Sequence, residues 1–381
     1  MVGRRAPQGR TLQAHMPRTV RVTGLFMIAG AVACGSSQPG DGSAMGPGGG
    51  GGDGAAGAES ATGSSGGGGG STSGSSGAQG SSSGLPGSSS GPAGSSGSDS
   101  GAVASSGGAR SDAAAVQCPS LALAAGDRNE SVTVGSTSRT YILHVPSSYT
   151  GASAVPLVVD FHALGSSGNG EETASPYKAV TDPEGVITAY PNGLTGPAGA
   201  AWNVGPCCVA NVDDVAFARA VVAQIETEAC IDSKRVYAVG FSMGGGMSHY
   251  LACHAADLFA AVAPAAFDLL QENIGDCTPP RPIAEMTFRD TGDPIVPYAG
   301  GASSLVPGMP VTFLGAVATF QKWAQIDGCT GSPSTADANG CQFYPTCHGG
   351  VGVALCTKQG GTHEPGNASV GWPFLKQYTL P

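Results

Sequence analysis

Residues 235–253, RVYAVGFSMGGGMSHYLAC, decide the fold. Residues 235–239 alternate and are rich in β-formers, so they read as a short buried strand. Gly240-Phe241-Ser242-Met243-Gly244 makes a sharp turn, and from Met243 the apolar residues Met247, Tyr250 and Leu251 recur at helical spacing. A strand, a tight turn with a central serine, then a helix is the context in which a hydroxyl is thrust out of the chain as a nucleophile. Small residues at Gly240 and Gly244 let strand and helix approach closely. The same Gly-x-Ser-x-Gly pattern occurs at residues 80–84 and 87–91, inside a tract with neither strand nor helix signal, so context singles out Ser242. The competing reading is a glycine-rich strand-to-helix turn whose serine is incidental.

Working outward, residues 155–161 (VPLVVDF) form the continuous apolar run of a buried parallel strand, followed by the loop 162–168, HALGSSG. Residues 131–134 and 140–145 read as an antiparallel pair, 176–181 as the start of a helix and 185–190 as a strand. An amphipathic helix is expected over 213–229, with Asp213 and Asp214 as its caps. Beyond the serine turn come strands at 259–264 and 283–288, a helix at 311–326, a cysteine-rich excursion at 329–356 and a short helix at 371–378. This alternation predicts an α/β domain over residues 116–381, with a mostly parallel central sheet flanked by helices.

Composition narrows the partners. The net charge is −10, and five of the 17 basic residues lie within the first 21 positions. The remaining acidic body has no basic face, which excludes nucleic acid as a partner. Of eleven cysteines, ten lie at or beyond Cys118, with Cys207 and Cys208 adjacent. There is no Cys-x-x-Cys and no His-Glu-x-x-His spacing, so no metal or other cofactor is expected. Up to five disulfides formed in an oxidising compartment are the reading instead.

Arg18 and Arg21 precede an apolar run over residues 22–33, shorter than the roughly 20 residues that a membrane span needs. Residues 1–34 therefore read as a secretory signal. Its end, Ala31-Val32-Ala33 before Cys34, resembles a bacterial lipobox. That resemblance implies lipid attachment at Cys34 as the membrane link, the alternative being an ordinary cleaved signal. Residues 35–115 are nearly all Gly, Ser, Ala and Pro and cannot bury a core; they read as a disordered tether with a root-mean-square span of roughly 50 Å. The expected location is extracytoplasmic, secreted or lipid-anchored at the cell surface. The oligomeric state stays open.

A nucleophilic serine needs a base, the base needs an orienting acid, and the developing oxyanion needs donors. The chain order serine, acid, histidine leaves His249, His254, His348 and His363 as bases. His249 and His254 lie on or just beyond the serine helix and read as surface or packing residues. His348 sits between cysteines in a local hairpin. His363, in a Gly-Gly-Thr-His loop before the last helix, is the preferred base. Asp293, in the turn Thr-Gly-Asp-Pro, is the preferred acid, with Asp290 as the alternative. The oxyanion donors are expected from the backbone of Met243 and of Ala163 or Leu164, with His162 holding that loop. Trp202 and Tyr298 are candidate substrate contacts.

Several ordered segments resemble one family. They are VPLVVDFH at 155–162, YPNG at 190–193, WNVGPCC at 202–208, NVDDVAFARAVV at 211–222, CIDSKRVYAVGFSMGGGMSHYLAC at 230–253, FRDTGDPIVPYAGG at 288–301 and GGTH at 360–363. Together they resemble the secreted feruloyl esterases and polyhydroxybutyrate depolymerases, α/β-hydrolases related to carbohydrate esterase family 1. The resemblance implies the α/β-hydrolase fold, with Ser242 as nucleophile, Asp293 as acid and His363 as base. It also implies a serine carboxylic ester hydrolase acting on a polymeric ester, of the type that releases feruloyl groups from plant cell-wall xylan. Poly(3-hydroxybutyrate) depolymerase and acetylxylan esterase are the alternatives. The reading from another class is a non-catalytic surface-binding protein that has kept the fold. Ala163 and Ser166 stand where the family carries glycines, so a strained Cβ is expected at Ala163. Phe241 replaces a common cysteine, and Glu364-Pro365 follows the histidine.

Overall fold

The computed structural model describes residues 118–120, 122–303 and 308–381. The signal, Cys34 and tether readings all lie outside the described residues. The chain opens with a hairpin, β1 (Gly126–Val134) and β2 (Thr137–Val145), antiparallel in register. Next come β3 (Val155–Phe161), the short helices α1 (Gly168–Ala174) and α2 (Lys178–Thr181), and β4 (Ile187–Pro191). A small hairpin of β5 (Leu194–Gly196) and β6 (Gly199–Ala201) leads into α3 (Asp214–Glu228). Then β7 (Ile231–Phe241) runs straight into α4 (Met243–His254) and on to β8 (Ala261–Ala265) and β9 (Ala284–Asp290). A second small hairpin, β10 (Gly301–Ser303) and β11 (Val311–Phe313), precedes α5 (Ala316–Ile326). The chain closes with β12 (Cys341–Tyr344), β13 (Val353–Lys358) and α6 (Ala368–Leu375).

Among the described residues, nine strands form one sheet in the order β1-β2-β4-β3-β7-β8-β9-β13-β12. Pairing is parallel from β4 through β13 and antiparallel at both edges. The strand order reverses between β3 and β7, where an open α/β sheet leaves a crevice above its carboxyl ends. Such a sheet must be covered on both faces. One core joins Phe217 and Val221 of α3, Met247 and Leu251 of α4, and Phe320 and Trp323 of α5 to one face. The other packs Tyr177 with Trp372, Phe374 and Leu375 of α6 against the opposite face. This is the α/β-hydrolase architecture.

Local sequence explains the elements and the departures from expectation. In α3, Phe217, Ala218, Val221, Val222 and Ile225 are buried on one stripe. Asp213 caps that helix by accepting from the Ala216 N–H at 2.8 Å. The helix expected from residue 311 begins only at Ala316, because Val311-Thr312-Phe313 is β-branched and aromatic and pairs with β10. Gly315, at φ 92°, makes the break. The cysteine-rich segment is not an excursion: it supplies β13, the last parallel strand, and the edge strand β12. The final helix starts at Ala368 rather than 371, capped by Asn367, whose side chain accepts from Ser369 N–H. All ten described cysteines pair, as Cys118–Cys230, Cys207–Cys208, Cys253–Cys277, Cys329–Cys347 and Cys341–Cys356.

Candidate active site

Ser242 sits where β7 turns into α4, at φ 54° and ψ −120°, a region that non-glycine residues rarely occupy. Its N–H donates to Ala265 O at 2.9 Å, and its carbonyl accepts from Gly246 N–H at 3.0 Å, so backbone on both sides holds the turn. The flanking glycines are sterically required. A Cβ at Gly240 would lie 2.5 Å from the Gly244 backbone, and one at Gly244 would lie 1.7 Å from Phe161 O. The serine is thereby pinned between β3, β7 and β8 at the positive end of α4, a helix end that favours negative charge.

Two residues distant in sequence meet it. His363 Nε2 lies 2.8 Å from Ser242 Oγ, and His363 Nδ1 lies 2.8 Å from Asp293 Oδ2. Asp293 is buried, and its other oxygen accepts from the N–H groups of Ile295 and Val296 at 2.8 and 2.9 Å. A carboxylate so held presents one oxygen to the imidazole and fixes the ring with Nδ1 protonated and Nε2 facing the hydroxyl. The ring of Phe241 packs on that of His363, with centroids 4.9 Å apart. Asp290 is not the histidine's partner: it is buried beside Gly361, and burial raises its pKa.

The other histidines lie elsewhere. His249 is fully buried, with Nδ1 accepting from Trp323 Nε1 at 3.0 Å, and burial pushes its pKa down to about 3. His254 packs against Tyr250 at the end of α4, with the rings tilted by 52°. His348 lies in the connection between β12 and β13. No distance to Ser242 or Asp293 brings any of them into the cluster.

The loop after β3 is held by one imidazole. His162 Nδ1 donates to Ala163 O at 2.7 Å, and His162 Nε2 accepts from Gly193 N–H at 2.9 Å. Those two bonds require the neutral ring, and burial lowers the His162 pKa accordingly. Ala163 O also accepts from Ser166 N–H at 3.1 Å, while Gly165 N–H donates to Ala200 O at 2.8 Å. Among the described residues no hydrogen bond engages the Leu164 N–H. The strain expected at Ala163 is absent: the left-handed position in this loop is Gly165, at φ 76°, which is still glycine.

Of the two candidate substrate contacts, Trp202 is corrected by its burial. It has no exposed surface, its Nε1 donates to His162 O at 2.8 Å, and its ring packs on Phe161. It braces the loop from behind and offers no face to a ligand. Tyr298 is half-buried, with its hydroxyl 2.8 Å from Thr357 Oγ1. Glu364, after the histidine, pairs with Lys358 and accepts from Thr362 Oγ1 at 3.2 Å, which ties the His363 loop to the end of β13.

Residue spacing gave no sign of two buried side chains below the acid. Arg289 is buried in β9; its Nη1 binds the Asp268 carboxylate and its Nη2 donates to Val296 O at 2.6 Å. Burial pushes the Asp268 pKa up to about 6, with Arg289 opposing that rise. The pair anchors the far end of the turn that carries Asp293. The hint available was that Glu285, Arg289 and Asp290 carry charge within a run, AEMTFRD, that forms a central strand. Outside this region, Asp127, His144 and Glu172 bring potential ligand atoms within 4.8 Å of one another. Those atoms are mutually engaged, His144 with Asp127 and Asp182, and Glu172 with Lys178.

No family model matches the chain. Feruloyl esterase B of Piromyces equi is 47% identical over 247 residues, covering 64% of this chain and 46% of that protein. A probable feruloyl esterase C of Aspergillus clavatus is 33% identical over 196 residues, covering 50% of this chain and 62% of that protein. A bifunctional acetylxylan esterase/xylanase of Neocallimastix patriciarum is 26% identical over 228 residues, covering 59% of this chain and 31% of that protein. The chain thus spans about half to three fifths of the length of the first two relatives. Among solved structures, an acetyl xylan esterase from Aspergillus awamori aligns with a TM-score of 0.48 at 17% identity, over 65% of this chain and 99% of that one. The sequence relationships make this chain similar to feruloyl esterases, and its sheet order and serine turn are those of an α/β-hydrolase.

Proposed function

We propose that the protein is a serine carboxylic ester hydrolase of feruloyl-esterase type, working outside the cytoplasm on esterified xylan. The observation that carries this reading is the hydrogen-bonded line from Ser242 Oγ through His363 to Asp293, 2.8 Å at each step. In it, His363 Nε2 takes the Ser242 proton as Oγ attacks the ester carbonyl, and the imidazolium formed is stabilised by Asp293. The oxyanion of the tetrahedral intermediate is received by the N–H groups of Met243 and Leu164. The first belongs to the opening turn of α4, whose N–H groups have no partner within the helix. The second lies antiparallel, across a trans peptide, to the Ala163 carbonyl that His162 holds. Collapse breaks the bond to the sugar oxygen, which takes the proton from His363 and leaves as the free hydroxyl, with the acyl group on Ser242. Water, deprotonated by the same imidazole, then releases the acid and regenerates the serine. No cofactor enters this sequence.

Five disulfides among the described residues support an oxidising compartment. Among those residues no helix is long and apolar enough to cross a membrane. We include lipid attachment at Cys34, with residues 35–115 as the tether, in the proposal. The test is release of ferulate, acetate and 3-hydroxybutyrate from their polymeric esters by one preparation. Ferulate is expected to dominate, and Ser242→Ala is expected to abolish release while the circular dichroism spectrum stays unchanged. Equal turnover by Ser242→Ala overturns the nucleophile. Dominant acetate release would favour the acetylxylan esterase reading, consistent with the name of the Neocallimastix patriciarum relative.

A further inference from the structure

A second cleft lies on the same rim of the sheet as Ser242, at the C-terminal ends of β9 and β13. Its volume is about 480 Å³, within the roughly 300–1,000 Å³ of small-molecule sites. Its wall toward the serine is the segment Glu364-Pro365-Gly366-Asn367, which follows His363 directly. Asn339 and Gly340, from the turn entering β12, also line the cleft, as do Phe288, Cys356 and Val370.

The chemistry of the lining restricts the ligand. Four charged residues line the cleft: Lys358 pairs with Glu364, Arg289 pairs with Asp268, and the Asp290 carboxyl is buried, so neither basic group is left to attract an anion. Hydrogen-bonding groups of both kinds stand beside apolar ones. That combination fits a neutral ring with hydroxyls on its edge and C–H groups on its face. The position is equally restrictive. Thr291 N–H donates to Lys358 O, and Gly360 N–H donates to Thr291 Oγ1, so the cleft and the Asp293–His363 pair are built on the same stitched loops.

We propose that this cleft is a subsite for the carbohydrate of the ester, binding a sugar unit of the polysaccharide beyond the one that carries the acyl group. The proposal rests on the ester hydrolase reading and deepens it. Such a site binds ground state and transition state alike, so its loss appears in KM and not in kcat.

Asn339 is exposed and touches none of the reacting groups, which makes it the position to vary. The experiment compares methyl ferulate with a feruloylated xylo-oligosaccharide, using the full chain. Asn339→Ala is expected to raise KM for the oligosaccharide about two- to tenfold, the equivalent of one hydrogen bond. Asn339→Trp, which fills the cleft, is expected to raise it further, with methyl ferulate kinetics within twofold of wild type for both variants. Unchanged oligosaccharide kinetics in Asn339→Trp, or equal losses on both substrates, overturn the subsite. A parallel titration of Ser242→Ala with unesterified xylo-oligosaccharide reads binding without turnover. Saturable binding that weakens in the Ser242→Ala, Asn339→Trp double variant supports the subsite. Binding that is absent, or insensitive to Asn339→Trp, overturns it. If wild type cleaves neither ester, the hydrolase reading falls while the titration still decides the cleft.

Discussion

Replacing His162 by asparagine or by glutamine separates two roles of one ring. The amide nitrogen of asparagine overlays Nδ1 and keeps a donor for Ala163 O, but nothing remains to accept from Gly193 N–H. Glutamine reaches the position of Nε2, keeps an acceptor for Gly193 and loses the local donor. In wild type these bonds are 2.7 and 2.9 Å long. Leaving the Gly193 N–H unsatisfied costs about 1–3 kcal/mol. Losing the His162 donor leaves the Ala163 carbonyl held by Ser166 N–H alone, which loosens the peptide plane whose other edge is the Leu164 N–H. The most that can be lost there is one oxyanion donor, about 100- to 1,000-fold in kcat. We therefore expect His162→Asn to lose stability with kcat within about tenfold of wild type, a smaller loss than that of a missing donor. His162→Gln should keep more of the stability and lose about 100-fold or more in kcat. Steady-state kinetics on methyl ferulate and urea unfolding of the same samples measure the two effects. A glutamine variant with full kcat, or two variants with indistinguishable profiles, refutes the reasoning.

The same ring sets a pH dependence whose sign follows from burial. The His162 pKa is lowered in the folded protein, so folding favours the neutral form. Its contribution to stability is complete above the unfolded value of about 6.5 and is lost as pH falls through the lower folded value. Protonation converts Nε2 from acceptor to donor and opposes the Gly193 N–H. Part of the acid-side loss of stability should therefore disappear in His162→Gln, which has nothing to protonate. Urea midpoints measured between pH 7 and pH 5 test this; identical slopes would remove His162 from the explanation.

Two further outcomes follow from the packing around Ser242 and Asp293. Arg289→Met removes the donor to Val296 O and leaves Asp268 buried without its partner, which should cost about 3–5 kcal/mol and lower kcat about tenfold or more. Arg289→Lys, which keeps the charge, should recover part of kcat and leave the acid limb of the pH–rate profile nearer wild type, whereas a purely structural role would leave that limb unmoved in every variant that folds. Gly244→Ala places a Cβ 1.7 Å from the Phe161 carbonyl, which no rotamer relieves, so the loss should exceed the roughly 1–3 kcal/mol of ordinary overpacking. Gly246→Ala, whose nearest neighbour is the Phe267 ring at 2.6 Å, should cost less, and equal midpoints for the two in urea would contradict the geometry.

What the residues disclosed follows the range of the interaction behind each feature. The serine turn is local: strand, glycines, serine and helix occupy consecutive positions, and the steric demand at Gly240 and Gly244 leaves its mark in the string itself. The parallel strands were legible because a strand covered on both faces must be apolar throughout. The start of α5 was misjudged because the amphipathic signal continues through Val311-Thr312-Phe313, and only pairing with β10 decides that those residues are a strand. Strain was expected at Ala163 because a glycine count does not say which glycine turns left-handed; the burden falls on Gly165. Trp202 looked like a ligand platform because an indole beside a site serves equally as a brace, and only its burial distinguishes the two.

The supports of the site belong to the opposite limit. His162 reaches Gly193, Trp202 reaches His162, and Arg289 joins Asp268 to Val296, each across a separation that carries no period. Their need is nevertheless physical. A hydroxyl, an imidazole and a carboxylate on three different loops must stay aligned to within a fraction of an ångström for the proton to pass, and loops alone do not hold that tolerance. The fold meets it by fixing each loop to backbone carbonyls and amides of its neighbours with side chains that have little or no exposed surface: His162 under the loop after β3, and Arg289 under the acid turn. Substitution at either should therefore disturb rate more than ground-state affinity, because what it loosens is alignment that matters only while charge is developing.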